Sequence, residues 1–174
     1  MTLAVNQITA AAGTGTIAVA SGCTMQVSGY NAQTVYKVFN TLTTTTTNQS
    51  YVPVTDGLLS IVSRFANSRF LVTMQAQGYA SGTTGCNIAI SRTIGPSTTR
   101  LIGTDGASGD AWAGAAYATN SFNIKRSISD SPVVPAGTMI TYNMLFSVWS
   151  GGTMFLNYAG YTGGSTITIM EIAA

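Results

Sequence analysis

Catalysis, metal binding and charge recognition depend on a short list of side chains, and this chain is poor in nearly all of them. It has no histidine, which removes Ser-His-Asp and Cys-His nucleophilic catalysis and any His-ligated zinc. Its five carboxylates are Asp56, Asp105, Asp110, Asp130 and Glu171. Glycoside hydrolysis needs two carboxylates flanking a sugar bond, and only Asp105 and Asp110 lie close together, in the Gly-rich stretch TDGASGD. Those two suit a sugar or a Ca²⁺ ion by type, but turn residues are the favoured reading. The alternating Asp or Asn pattern of a calcium loop is absent. Cys23 and Cys86 cannot complete a structural zinc site alone, and free thiols in a reducing cytoplasm are the expectation. The isolated Gly13-Thr14-Gly15 lacks the strand and helix context of a dinucleotide site. The expectation is a protein without catalysis, metal or cofactor.

What remains is recognition by neutral and aromatic groups. Trp112, Tyr117, Trp149, Tyr158 and Tyr161 stand near predicted turns, and flat rings bind sugars or protein patches at low entropic cost. Trp149 and Tyr158 are expected in packing, whereas Tyr161, between Gly160 and Thr162, is expected to be exposed. Asp105, Asp110, Trp112, Tyr117 and Tyr161 are therefore the candidate ligand-contacting residues of loops. Asp130, ahead of Ser131-Pro132, is expected to hydrogen-bond the turn backbone, with Pro132 in a structural role.

The elements that hold these loops must be strands. Seven Lys or Arg and five Asp or Glu make 7% of the chain, against about 25% in a usual soluble domain. Thr, Ser, Asn and Gly must cover the surface instead, and they favour strands and turns over helices. A net charge of +2 with no basic run argues against a grip on nucleic acid or an anionic membrane. No apolar run approaches the roughly 20 residues of a membrane span, and the start MTLAVNQITAAAG has no basic residue, so it is a poor signal peptide.

Residues 1–33 form a low-complexity lead of Ala, Thr and Gly that cannot make a core by itself. It is expected to pack on its own copies or to dock on a larger assembly. Residues 34–174 form the domain. Strands are predicted at Thr34–Leu42, Tyr51–Val54, Leu58–Phe65 after a turn at Asp56-Gly57, Arg69–Tyr79, Cys86–Arg92, Thr99–Gly103, Ala111–Tyr117, Phe122–Asp130, Met139–Trp149, Thr153–Tyr158 and Ser165–Ile172. The threonines at 43–47 are expected to form an edge or exposed loop. Met139–Trp149 is expected to be the longest strand. About ten strands without helical periodicity point to an all-β fold, an antiparallel jelly-roll β-sandwich preceded by the short lead.

The last strand holds one anomaly. Glu171 shares a face with Ile167 and Ile169, and a carboxylate is not buried without partners. All three are candidates for a structural or inter-subunit role, with Glu171 expected to pair with a basic residue such as Arg69 or Arg126.

The run from Ile128 to Ala174 resembles the C-terminal knob domains of bacteriophage tail-fibre and related virion proteins. Their DSP turn, TY pair and terminal STITLMEI match Asp130-Ser131-Pro132, Thr141-Tyr142 and Ser165–Ile172. Upstream, NSRFLVTMQAQG at 67–78 is similar to that family's SSKILVxxxxxG strand, and the lead's GTGTIAVASG to its GTGTITLP segments. The resemblance implies a jelly roll of the tumour-necrosis-factor or C1q type, assembled as a homotrimer on a fibre or spike at the virion surface. It further implies a host-surface glycan or protein as ligand, with residues 1–33 meeting other virion proteins. The chain is short for a tail fibre and has no repetitive shaft, so a small tail or head fibre, or a capsid decoration (cement) protein, is the alternative expectation.

Overall fold

The computed structural model describes residues 31–45, 51–81, 85–102, 121–149, 153–157 and 164–174. Among these residues the regular structure is all strand: β1 (Asn31–Phe39), β2 (Thr43–Thr45), β3 (Val52–Val62), β4 (Arg69–Ser81), β5 (Gly85–Ile94), β6 (Ser97–Ile102), β7 (Ser121–Asp130), β8 (Met139–Trp149), β9 (Thr153–Leu156) and β10 (Ser165–Ile172). The predicted strand at Ala111–Tyr117 lies outside the described residues.

Two sheets form. In sheet A, β1 pairs with β10, β10 with β4, and β4 with β7, while β9 pairs with both β4 and β2. Sheet B has the order β3-β8-β5-β6. β9 and β10 border the same side of β4 one after the other, and β1 and β2 border β10 and β9 in the same way, so each couple behaves as one interrupted row. With that merger the topology is nested: the first row pairs with the last, β3 with β8, β4 with β7 and β5 with β6, all antiparallel. A long hairpin wound into two facing sheets is the jelly roll, as the strand count and turn spacing suggest.

Period-two alternation supplies the core. On β10, Ile167 and Ile169 are fully buried while Thr166, Thr168 and Met170 are half-buried on the other face. Phe70, Val72 and Met74 of β4 lie beside them in the same sheet, and Ile140, Tyr142, Met144 and Phe146 of β8 face this layer across the sandwich. At about 1.5–3 kcal/mol for each large apolar side chain removed from water, this layer is what conformational entropy must be set against.

Three predicted boundaries differ. Asp56-Gly57 does not break the chain into two strands but makes a bulge in β3, where the register slips between Pro53 and Leu58 and Asp56 takes φ +61°. The longest strand is β4, not β8. β1 begins at Asn31, inside the stretch assigned to the lead, because Gln33 is paired with Glu171. The threonine run gives the short strand β2, which has no partner beyond β9 among the described residues and so forms an edge.

Candidate functional site

The sandwich has two chemically different ends. At one end lie Asn31, the β3–β4 turn at 63–68, the β5–β6 turn at Gly95, the β7–β8 connection at 131–138 and the C-terminus. This is the entry end, where the chain before Asn31 joins the domain. β2, β4, β6 and β8 run toward the opposite, far end, and β3, β5, β7 and β9 start from there. The strands that flank residues 46–50, 82–84, 103–120 and 150–152 in the sequence therefore end or start at the far side.

The entry end is organised by Glu171. The 63–68 turn crosses from sheet B to sheet A, and its amides need acceptors. Ser63 N–H finds the Thr138 carbonyl at 2.9 Å and Asn67 N–H finds that of Val134 at 3.0 Å. Arg64 and Phe65 N–H instead point at the Glu171 carboxylate, at 2.9 and 3.2 Å from Oε1. Ser63 Oγ donates to Oε1 at 3.4 Å, and Gln33 Nε2 donates to Oε2 at 2.6 Å. Glu171 is fully buried, yet its charge is spread over two backbone amides, a hydroxyl and a side-chain amide, which is how a buried carboxylate is tolerated without a cation. The expected pairing with Arg69 or Arg126 does not occur within the chain. Arg69 is the register partner of Ile172 and faces outward, and Arg126 donates to Asn87 Oδ1 at 2.9 Å.

Asp130 also departs from expectation. Its carboxylate does not cap the 131–138 backbone; it receives Arg92 Nη1 at 2.6 Å and the Tyr142 hydroxyl at 2.7 Å. Asp130 sits on β7 of sheet A and both partners on sheet B, so this triad ties the sheets together. Burial pushes the Tyr142 phenol far above its ordinary range, and the hydrogen bond to Asp130 pushes it further. Pro132, two residues on, is buried.

Ile167 and Ile169 point into the chain's own core, so their outward neighbours are the residues that another copy can reach. That outer face of sheet A carries Thr34, Tyr36 and Val38 of β1, Thr166, Thr168, Met170 and Ile172 of β10, Leu71, Thr73 and Gln75 of β4, and Ser127 and Ser129 of β7. Tyr36 is 60%, Val38 47% and Leu71 38% exposed. Thr73 and Ser127 share a hydrogen bond of 2.9 Å. Among the described residues of these four strands, only Arg69 and Lys125 bring charge to this face, and no carboxylate does.

The loop candidates Asp105, Asp110, Trp112, Tyr117 and Tyr161 lie outside the described residues, as does Tyr158, and nothing is described of the Trp149 side chain. Their strand stems are fixed at the far end and its flank. For residues 158–163 the stem is closed by Asn157 at φ +56°. Its Oδ1 accepts from Ser165 N and Oγ at 3.0 and 2.7 Å, and its Nδ2 donates to the Thr41 carbonyl at 3.0 Å. Gly164 is required beside it, since a Cβ there would stand 2.7 Å from the Phe39 carbonyl oxygen, which the backbone holds in place. Between β4 and β7 at the far end, Gln77, Gly78, Ser121, Phe122 and Asn123 line a hollow of about 270 Å³. Among the described residues, no three Cys, Asp or Glu side chains converge as a metal site would need.

No protein-family model matches the chain, and no curated protein does. Similar solved structures include an Eiger TNF from S. frugiperda, at 12% identity over 71% of this chain and 90% of that one, TM-score 0.36. A second is the infectious bursal disease virus Gx strain, at 12% identity over 91% of this chain and 45% of that one, TM-score 0.40. A third is the enzymatically active domain of bacteriophage CBA120 tailspike protein 4, at 12% identity over 82% of this chain and 19% of that one, TM-score 0.29. These likenesses are remote, and the jelly-roll assignment rests on the chain's own strand order.

Proposed function

We propose that this chain is a structural protein of a bacteriophage virion, a homotrimeric fibre or spike whose jelly roll meets the host cell surface. The observation that carries the reading is the opposition of the two ends. Residues before Asn31 join the domain at the Glu171 end, while residues 103–120, with four of the candidate contact residues, start from strands that finish at the other. A knob that is attached at one pole and recognises at the other needs this layout. The outer face of sheet A, which exposes Tyr36, Val38 and Leu71 and carries only Arg69 and Lys125 as charges among the described residues of its four strands, supplies the contact between copies, since desolvating it strands no carboxylate.

In this reading Asp105, Asp110, Trp112, Tyr117 and Tyr161 contact a host glycan or protein. Three copies presented together gain avidity, so each site need not be strong. Residues 1–33 meet other virion proteins, and the chain performs no catalysis, holds no cofactor and enters neither membrane nor nucleic acid.

Sedimentation equilibrium of the intact protein at micromolar concentration is expected to give three times the chain mass; a monomer there ends the trimer reading. Added protein is expected to compete with phage for adsorption to host cells. A trimer that leaves adsorption untouched, but whose loss weakens the capsid, would make it a decoration protein instead.

A further inference from the structure

The outer face of sheet B concentrates its exposed apolar side chains in one place. Val62, 53% exposed, is paired directly with Met139, 62% exposed, and Leu58, 47% exposed, lies on the same face four residues up β3. Between these two levels Ser60 and Thr141 share a hydrogen bond of 2.7 Å. From Leu58 to Val62 the patch runs about 13 Å, and no charged side chain of β3 or β8 interrupts that stretch.

The chain enters the domain against this patch. Gln33 Nε2 donates to the Val62 carbonyl at 2.6 Å, and Arg64 Nη1 donates to the Ala32 carbonyl at 3.2 Å. The segment before Asn31 thus departs from beside Val62. That segment has no charged residue, and its run Thr16-Ile17-Ala18-Val19-Ala20 alternates so that Ile17 and Val19 share one face. Asn31 is fourteen positions beyond Ile17, a maximum reach of about 45 Å, with Gly22 and Gly29 between them to turn the chain back. A separate partner needs about 800 Å² on each side for a stable interface, more than three side chains offer. A tethered segment acts at an effective concentration in the millimolar range and needs far less area.

We propose that the chain's own lead straps across sheet B, with Ile17 and Val19 packed on Val62, Met139 and Leu58. The strap fixes the direction in which the lead leaves the domain. The proposal stands on the entry geometry and does not depend on the virion reading.

Methionine oxidation in the full chain tests it. Peroxide is applied to the native protein, and the rate at Met139 is followed by peptide mass spectrometry. The fully buried Met74 and half-buried Met170 serve as internal references. In I17S/V19S, Met139 is expected to oxidise about tenfold faster than in the parent, which corresponds to a docking preference of about 1.4 kcal/mol. The pair T16S/A18S alters the opposite face of the same run and is expected to leave the rate unchanged. Neither pair touches the described core, and near-ultraviolet dichroism checks that both variants stay folded. The proposal is overturned if Met139 reacts equally fast in the parent and in I17S/V19S. It is overturned as well if T16S/A18S releases Met139 too, or if Met139 stays protected in both variants, which would assign the patch to another occupant such as a second copy.

Discussion

Replacing Glu171 with Gln changes one oxygen to an amide nitrogen and little else in shape. The carboxylate accepts from Arg64 N–H, Phe65 N–H, Ser63 Oγ and Gln33 Nε2. With the remaining oxygen turned toward Arg64 and Phe65, two charge-assisted hydrogen bonds become neutral ones, each losing about 1 kcal/mol. The new amide then faces Gln33 Nε2, donor against donor, at a site where the two atoms stood 2.6 Å apart, and relieving that conflict costs about 1 kcal/mol more. The sum, about 3 kcal/mol, is a large part of the 5–15 kcal/mol that holds a typical domain folded. At about 2–4 °C per kcal/mol for a chain of this size, E171Q is expected to melt about 6–12 °C below the parent. Urea unfolding at neutral pH gives the free energy directly. Q33A in the E171Q background should cost less than in the parent, because the two residues share one hydrogen bond. A loss below about 0.5 kcal/mol would be a surface-like result, and it would refute the claim that this carboxylate holds the entry end together.

Three further outcomes follow from the same geometry. Raising pH through about 10, the ordinary tyrosine value, deprotonates Tyr142 in the unfolded chain while the folded phenol keeps its proton. Stability present below that pH is then lost as pH rises, and Y142F should flatten this alkaline slope in pH-dependent urea unfolding. Gly78→Ala would place a Cβ 2.2 Å from the Phe155 carbonyl oxygen and 2.6 Å from Phe122 Cζ. The backbone of β9 cannot yield freely, so a loss of about 1–3 kcal/mol is expected in thermal unfolding. Thr168→Arg puts a charge at the centre of the outer face of sheet A, between Tyr36 and Thr73; in the proposed trimer, sedimentation is expected to report dissociated chains that remain folded, and an oligomer left intact would remove that face from the proposed assembly.

Much of the fold was legible because period two leaves a mark on single residues. Ser165–Ile172 and Phe122–Asp130 appear as strands with the buried face that the sequence pattern assigns. The misplaced Glu171 was equally visible. Its partners were not, because two of its four donors are backbone N–H groups, which carry no residue signature and are aimed by a turn a hundred residues away. Asp130 misled for a related reason. Asp before Ser-Pro is a good turn former, but the facing sheet brings Arg92 of β5 and Tyr142 of β8 within reach, and a cation plus a buried phenol outcompete a local amide. At Asp56-Gly57 the same dipeptide serves a hairpin turn and a bulge. What selects the bulge is tertiary: Lys37 Nζ donates to the Asp56 carbonyl at 2.8 Å and the Leu58 carbonyl at 3.3 Å, and Thr41 Oγ1 bonds the Asp56 carboxylate.

These contacts explain where so few charges go. A two-sheet sandwich is open along both flanks, and edge strands with free carbonyls invite unwanted pairing. Along one flank Gln33 and Lys37 of β1 reach across to the edge carbonyls of β3, at Val62, Leu58 and Asp56. Along the other, Arg92 of β5 reaches Asp130 of β7, and Arg126 of β7 reaches Asn87 of β5, which donates on to the Tyr51 hydroxyl at 2.7 Å. Lys37, Arg92, Arg126, Asp130 and Glu171 are thus committed to joining sheets or closing an end. Apart from Arg69 and Lys125 on sheet A, the outer faces carry hydroxyl pairs such as Thr73 with Ser127 and Ser60 with Thr141. Low charge and a threonine-rich exterior are therefore one design: most ionic groups close the domain, and the outer face of sheet A keeps only Arg69 and Lys125, and no carboxylate, to desolvate when another surface covers it.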